Sequence, residues 1–149
     1  MLSRTAEYLY WISRYMERAE TTARLLDVGY RMSLFPNPSG YNNEWESVLS
    51  AAGAIEGYKN KYNTIEQKNV EDYLFFDESN PSSVYNCILN ARNNALVVRT
   101  SFTPESWLAI NKTYQEILNL KEQKFTKSDL PDLTEWTIEQ VNLFRGSLS

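Results

Sequence analysis

Histidine is absent from all 149 residues. That removes Ser-His and Cys-His nucleophile pairs, helical Glu-x-x-His metal sites and every histidine general base. Catalysis would have to rest on carboxylates, Lys, Tyr, Arg or a partner protein. A single cysteine, Cys87, excludes an intrachain disulfide and any cysteine-rich metal site. Only five glycines occur, and they are too scattered to build a phosphate-cradling loop. No apolar run approaches the roughly 18 residues that span a bilayer. The opening MLSRTAEYLYW lacks the basic-then-apolar order of a secretory signal. The expectation is a cytoplasmic protein with no membrane association. A net charge of −4 argues against nucleic-acid binding, which needs a basic field to neutralise phosphates. No metal site and no cofactor is expected.

What remains fits one helical domain over residues 1–149, with a hydrophobic content of 42%. Residues 3–34 read as one long helix. Leu2, Leu9, Met16, Ala23 and Tyr30 recur every seven residues, and Ile12, Ala19 and Leu26 fill the second seam position. Trp11, Leu25 and Met32 extend this stripe on one flank. The prolines and glycine of Phe35-Pro36-Asn37-Pro38-Ser39-Gly40 stop the helix. A second helix covers 43–55, the tyrosine- and asparagine-rich stretch 58–67 has no clear period, and a short helix covers 70–76. Asn80 as cap and Pro81 in the first turn predict a helix to about Ser101. Thr103-Pro104 opens another, Lys121–Ser128 reads as a loop, and a last helix begins near Leu133. The fold class is all-α, an antiparallel bundle of about five to six helices.

Lysine is absent from the first 58 residues; the opening helix carries only arginine, at positions 4, 14, 18, 24 and 31. Arginine suits a partly buried charge or a planar anion gripped by two hydrogen bonds. Glu20 and Arg24 have the favourable acid-first spacing, whereas Arg14 meets Glu17 at i+3 and Arg18 at i+4. Three readings stay open: an exposed ion-pair ladder, clamps to other helices, or an anion site formed by Arg14, Glu17 and Arg18. On the helix after Pro81, Arg92 and Arg99 stand among leucines with Asn94 nearby. They suit partly buried cations that either pair with carboxylates such as Glu17 or bind a ligand. Cys87 reads as a small core residue. The acids Glu71, Asp72, Asp77 and Glu78 read as a solvated helix end rather than a Mg²⁺ site.

Two stretches carry a family resemblance. MLSRTAEYLYWISRYMERAETTARLLDV resembles the opening of the bacterial alpha-E domain family, with Glu17-Arg18 as its Glu-Arg motif. NPSSVYNCILNARNNALVVRTSFTPESW is similar to that family's second block, through Asn80, Pro81, Ser82, Ser83, Ala91, Arg92, Asn94, Arg99, Glu105 and Trp107. Asn93 stands where members usually carry an acid, and Leu96 where they carry a base. Members are usually about twice as long, which would make this chain the N-terminal half of the usual length. The resemblance implies an association with circularly permuted ATP-grasp amide ligases and transglutaminase-like proteases. The protein would then be a helical partner in peptide synthesis or modification. The rival is an enzyme of the same pathway, with Glu17 as acid or base acting on a carboxylate or acyl-phosphate. A plain helical scaffold is the third reading. In the first, Arg14, Glu17, Arg18, Arg92, Asn94 and Arg99 would orient an anionic peptide or carboxylate, or lock the helices.

Overall fold

A computed structural model of the chain describes residues 2–35, 43–123 and 129–148. Among these the protein is all helical: α1 (Leu2–Ser33), α2 (Asn43–Ala51), α3 (Ile55–Lys61), α4 (Gln67–Phe75), α5 (Val84–Val97), a 3-10 turn (Arg99–Ser101), α6 (Pro104–Gln123) and α7 (Leu130–Ser147). No described helix is long and apolar enough to cross a membrane.

The seam predicted on α1 is the buried one: Ile12, Met16, Ala19, Ala23 and Leu26 are all sealed from solvent. The stripe is narrower than its hydrophobic residues suggest, because Met32 is 54% exposed and Trp11 43%. A helical seam of this kind faces one partner groove, and residues on its flank reach solvent unless a second helix covers them. Of the other tryptophans, Trp45 is in the core, while Trp107 and Trp136 are half-buried.

Helices α1, α5, α6 and α7 form a four-membered ring in which each touches two neighbours. Their directions follow from pairs of contacts. Along α1 and α5, Ala19 and Leu26 share a cluster with Val84 and Cys87, whereas Ile12 and Met16 share one with Ala95 and Val98. The two helices are therefore antiparallel. Arg92 reaches Asn111 while Lys121 lies over the ring of Tyr85 at the start of α5, so α5 and α6 are antiparallel too. The Thr113–Gln140 and Ser106–Ser147 hydrogen bonds set α6 against α7. The result is an up-down-up-down bundle.

Helices α2 to α4 cover the C-terminal half of α1. Close approach of α2 depends on Gly29. A Cβ there would lie 2.8 Å from both Trp45 Cζ3 and Val48 Cγ2. Gly53, at φ +68°, turns the chain from α2 towards α3. The aperiodic stretch after it holds a helix because Tyr58 is fully buried and stacks on Tyr62 at 4.8 Å and edge-on to Tyr73 at 5.7 Å. Packing, not periodicity, makes that helix.

Several predicted boundaries move. Helix α1 ends at Ser33, before the proline segment, whose residues 36–40 lie outside the described part. Helix α6 continues to Gln123, and 124–128 of the expected loop also lie outside it. Asp129 caps α7 by accepting from the Asp132 amide, so the helix begins at Leu130, three residues before the expected start. Thr103 Oγ1 accepts from the Ser106 amide at 3.2 Å, the cap expected of α6. The cap of α5 is not Asn80 but Ser83, whose hydroxyl accepts from the Asn86 amide at 3.1 Å. Asn80 is buried upstream and does another job.

Candidate functional site

Between α1, the end of α2 and the loop before α5 lies a groove of about 390 Å³. It is bordered by Arg14, Glu17, Arg18, Thr22, Leu25 and Ser82, among others. Positions 14, 18, 21, 22 and 25 fall on one flank of α1, so the helix alone aligns two guanidiniums with two threonine hydroxyls. Its opposite wall is held by a tightly hydrogen-bonded loop. Asp77 Oδ1 accepts from the Ser79 amide and hydroxyl at 2.8 and 2.7 Å, and its other oxygen accepts from Lys61 Nζ. Asn80 donates to the Tyr73 carbonyl at 2.9 Å and accepts from the Ser82 amide at 3.1 Å. Asn86 Nδ2 donates to the carbonyls of Glu78 and Asn80. These bonds fix the loop, and Ser82 is presented to the groove. Burial pushes the Asp77 carboxyl upward, but Lys61 and Ser79 outweigh it and hold the group below its ordinary value. The acids expected at a solvated helix end are thus partly structural. Glu78 meets Lys121 at 3.7 Å as well. Among the described residues no cluster of three metal-ligating side chains occurs.

The arginines of α1 divide among the three roles. Arg14 pairs with Glu17 at 3.4 Å, Arg24 with Glu20 at 2.8 Å and Arg31 with Asp27 at 3.0 Å, an i,i+3 and i,i+4 ladder on the surface. Glu20 is also the one inter-helix clamp of this helix among the described residues, because it accepts from Arg145 of α7 at 2.6 Å. Its side chain is only 12% exposed. Arg145 first, and Arg24 with it, hold its carboxyl below the usual range against the opposing effect of burial. Arg18 has no ion pair or hydrogen bond among the described residues, although it stands on the groove. Its charge acts on Cys87, where burial pushes the thiol up to about 12 and the guanidinium opposes it. Arg18 is therefore a cation beside the α1–α5 junction with no counter-ion among the described residues.

The second set of expected residues lies elsewhere. Arg92 is half-buried between α5 and α6. It donates to Asn111 Oδ1 at 3.3 Å and stacks over the Tyr114 ring at 4.6 Å. It makes no pair with Glu17. Asn94 returns its amide to the Asn90 carbonyl in its own helix. Arg99 is exposed in the 3-10 turn. Asn93 and Leu96 are exposed as well. The structure thus brings Arg14, Glu17 and Arg18 together and keeps Arg92, Asn94 and Arg99 off that groove. Ser82 was named within the second family block but not as a site residue, and Arg145 was not singled out. The Asp-x-Ser-Asn-x-Ser spacing of residues 77–82 was an available signal for the rigid loop, since such side chains favour local turns. Arg145, far along the chain from Glu20, left no such signal.

No curated protein and no solved structure matches this sequence. The model of one family does, over residues 1–149; that family is Alpha-E, described as a predicted alpha-helical domain with a conserved ER motif. Glu17-Arg18 is the chain's only Glu-Arg dipeptide, and it lies on the groove of α1. The all-helical fold, the groove-bordering Glu-Arg pair and the whole-length match agree: this chain belongs to the Alpha-E family.

Proposed function

We propose that the protein is a binding partner, not a catalyst, and that the α1–loop groove holds an anionic group, a carboxylate of a peptide being the chemistry that fits. The observation that carries this is Arg18, a guanidinium on a groove without a partner among the described residues. A guanidinium offers a planar fork to a carboxylate, and the Ser82 hydroxyl across the groove adds a donor. Glu17 is half exposed beside Arg14, a place for setting charge balance rather than for driving proton transfer in a dry site. The family resemblance extends the reading to an ATP-grasp amide ligase as the protein partner, with peptide synthesis or modification as the setting.

The test uses a short acidic peptide with a free C-terminal carboxylate and the same peptide as its C-terminal amide, titrated by calorimetry. The free acid should bind more tightly, and Arg18→Lys should weaken it about tenfold while leaving the melting temperature within a degree or two. Equal binding of acid and amide, or no effect of Arg18→Lys, would sink the proposal. In a reconstituted reaction with the ligase, ATP-dependent amide formation should need this protein and survive Glu17→Gln. Loss of product with Glu17→Gln in a folded protein would favour the enzyme reading instead.

A further inference from the structure

On the face of the bundle turned away from α2, α1 and α7 enclose a second groove, of about 680 Å³. Its two walls carry opposite charge. The α1 wall holds Arg24 and Arg31 with Asp27 between them, one net positive charge, and the α7 wall holds Glu135 and Glu139. Arg24 and Arg31 pair with Glu20 and Asp27 of their own helix, and Glu20 divides its charge between Arg24 and Arg145 of α7. Glu135 and Glu139 have no cation among the described residues. The apolar surface between them is also open: Val28 and Leu143 are each 49% exposed, and Ile138 lines the groove.

A surface that is basic on one helix and acidic on the adjacent antiparallel helix is complementary to itself. The Glu20–Arg145 contact sets the register of the two helices, and each residue along either one rises about 1.5 Å. Arg31 is then level with Thr134, next to Glu135, and Arg24 is level with Val141, near Glu139. A two-fold axis parallel to the helices keeps these levels and lays α1 of one copy on α7 of the other. It sets Arg31 opposite Glu135 and Arg24 opposite Glu139, twice over, with Val28 near Ile138 at the centre. An axis across the helices would set α1 on α1 and α7 on α7, bringing like charges together. Closed two-fold interfaces have this isologous form, and charge pattern selects their register.

The geometry points to a second copy of this chain as the occupant of the α1–α7 groove, in a dimer whose axis runs along the bundle. Sedimentation equilibrium on the 149-residue protein at low salt should show a concentration-dependent dimer. Glu135→Lys with Glu139→Lys should weaken it by roughly tenfold or more, because each changed pair becomes repulsive. Mixing that variant with Arg24→Glu/Arg31→Glu should restore association as a heterodimer tighter than the dimer of either variant alone. Raising the unmodified protein to about 1 M salt should also weaken the dimer, a readout that needs no variant to fold. A monomer at all concentrations, a dimer indifferent to salt, or a dimer as tight after the double Glu→Lys change as before it would overturn the inference.

Discussion

Glu20→Gln is the sharpest probe of how the bundle is closed. Glu20 accepts from Arg24 Nε and Nη2 at 3.1 and 2.8 Å, and from Arg145 Nη2 at 2.6 Å. Charged hydrogen bonds contribute about 1.5–3 kcal/mol each when well buried. The arginine side chains here are 59% and 46% exposed, so solvent screening lowers each pair to about 0.5–1 kcal/mol. Removing the charge while keeping the shape should therefore cost about 1–2 kcal/mol, or about 3–6 °C in melting temperature for a domain of this size. Urea titration of the parent, Glu20→Gln, Arg145→Gln and the double variant measures it directly. The two sites touch, so the double variant should lose less than the sum of the singles, by about 0.5 kcal/mol or more. Acid supplies a second axis. The folded carboxyl is held below its ordinary value of 4.5, so its stabilisation is complete above that pH and is lost as pH falls through the lower folded value. The gap between parent and variant should close in that acid window. A Glu20→Gln protein as stable as the parent at pH 7, or strict additivity in the cycle, would refute the clamp.

Two further outcomes test other parts of the fold. Gly29→Ala should gain about 1 kcal/mol of helix propensity yet lose more to the collision with the buried Trp45 ring and Val48 methyl, for a net loss of about 1–2 kcal/mol; a stabilised variant would mean that α2 does not cross α1 there. With its thiol pushed up to about 12, Cys87 is ionised only on the order of one part in ten thousand at pH 8. A disulfide reagent should label it very slowly in the native protein and fully in urea, and rapid native labelling would contradict its burial.

The long elements were readable because apolar residues recurred on one face: Ile12, Met16, Ala19 and Leu26 in α1, and Ile88, Ala91, Ala95 and Val98 along α5. Helix α3 was not, because its stability comes from tyrosines that meet only after α3 and α4 pack. The start of α5 was misplaced since Pro81 suits a first turn, whereas Asn80 spends both ends of its amide on holding the preceding loop. Of the site, Arg14, Glu17 and Arg18 were legible as one helix flank. Arg92 was not separable from them, because the spacing that puts it beside leucines does not say whether α1 or α6 lies across from it. Tyr114 and Asn111 of α6 do.

The interior is divided into two apolar clusters strung along α1, and Tyr15 touches both. One holds Ile12 and Met16 with the far end of α5; the other holds Ala19 and Leu26 with α2 to α4. The groove residues 14–25 run across the boundary between them. Stability in such an interior is graded, not uniform, and each cluster can open with its own free energy. A ligand seated at Arg18 would therefore stitch the two halves together, and its footprint would be slowed amide exchange in α2 and in the 77–83 loop, well beyond the atoms it touches.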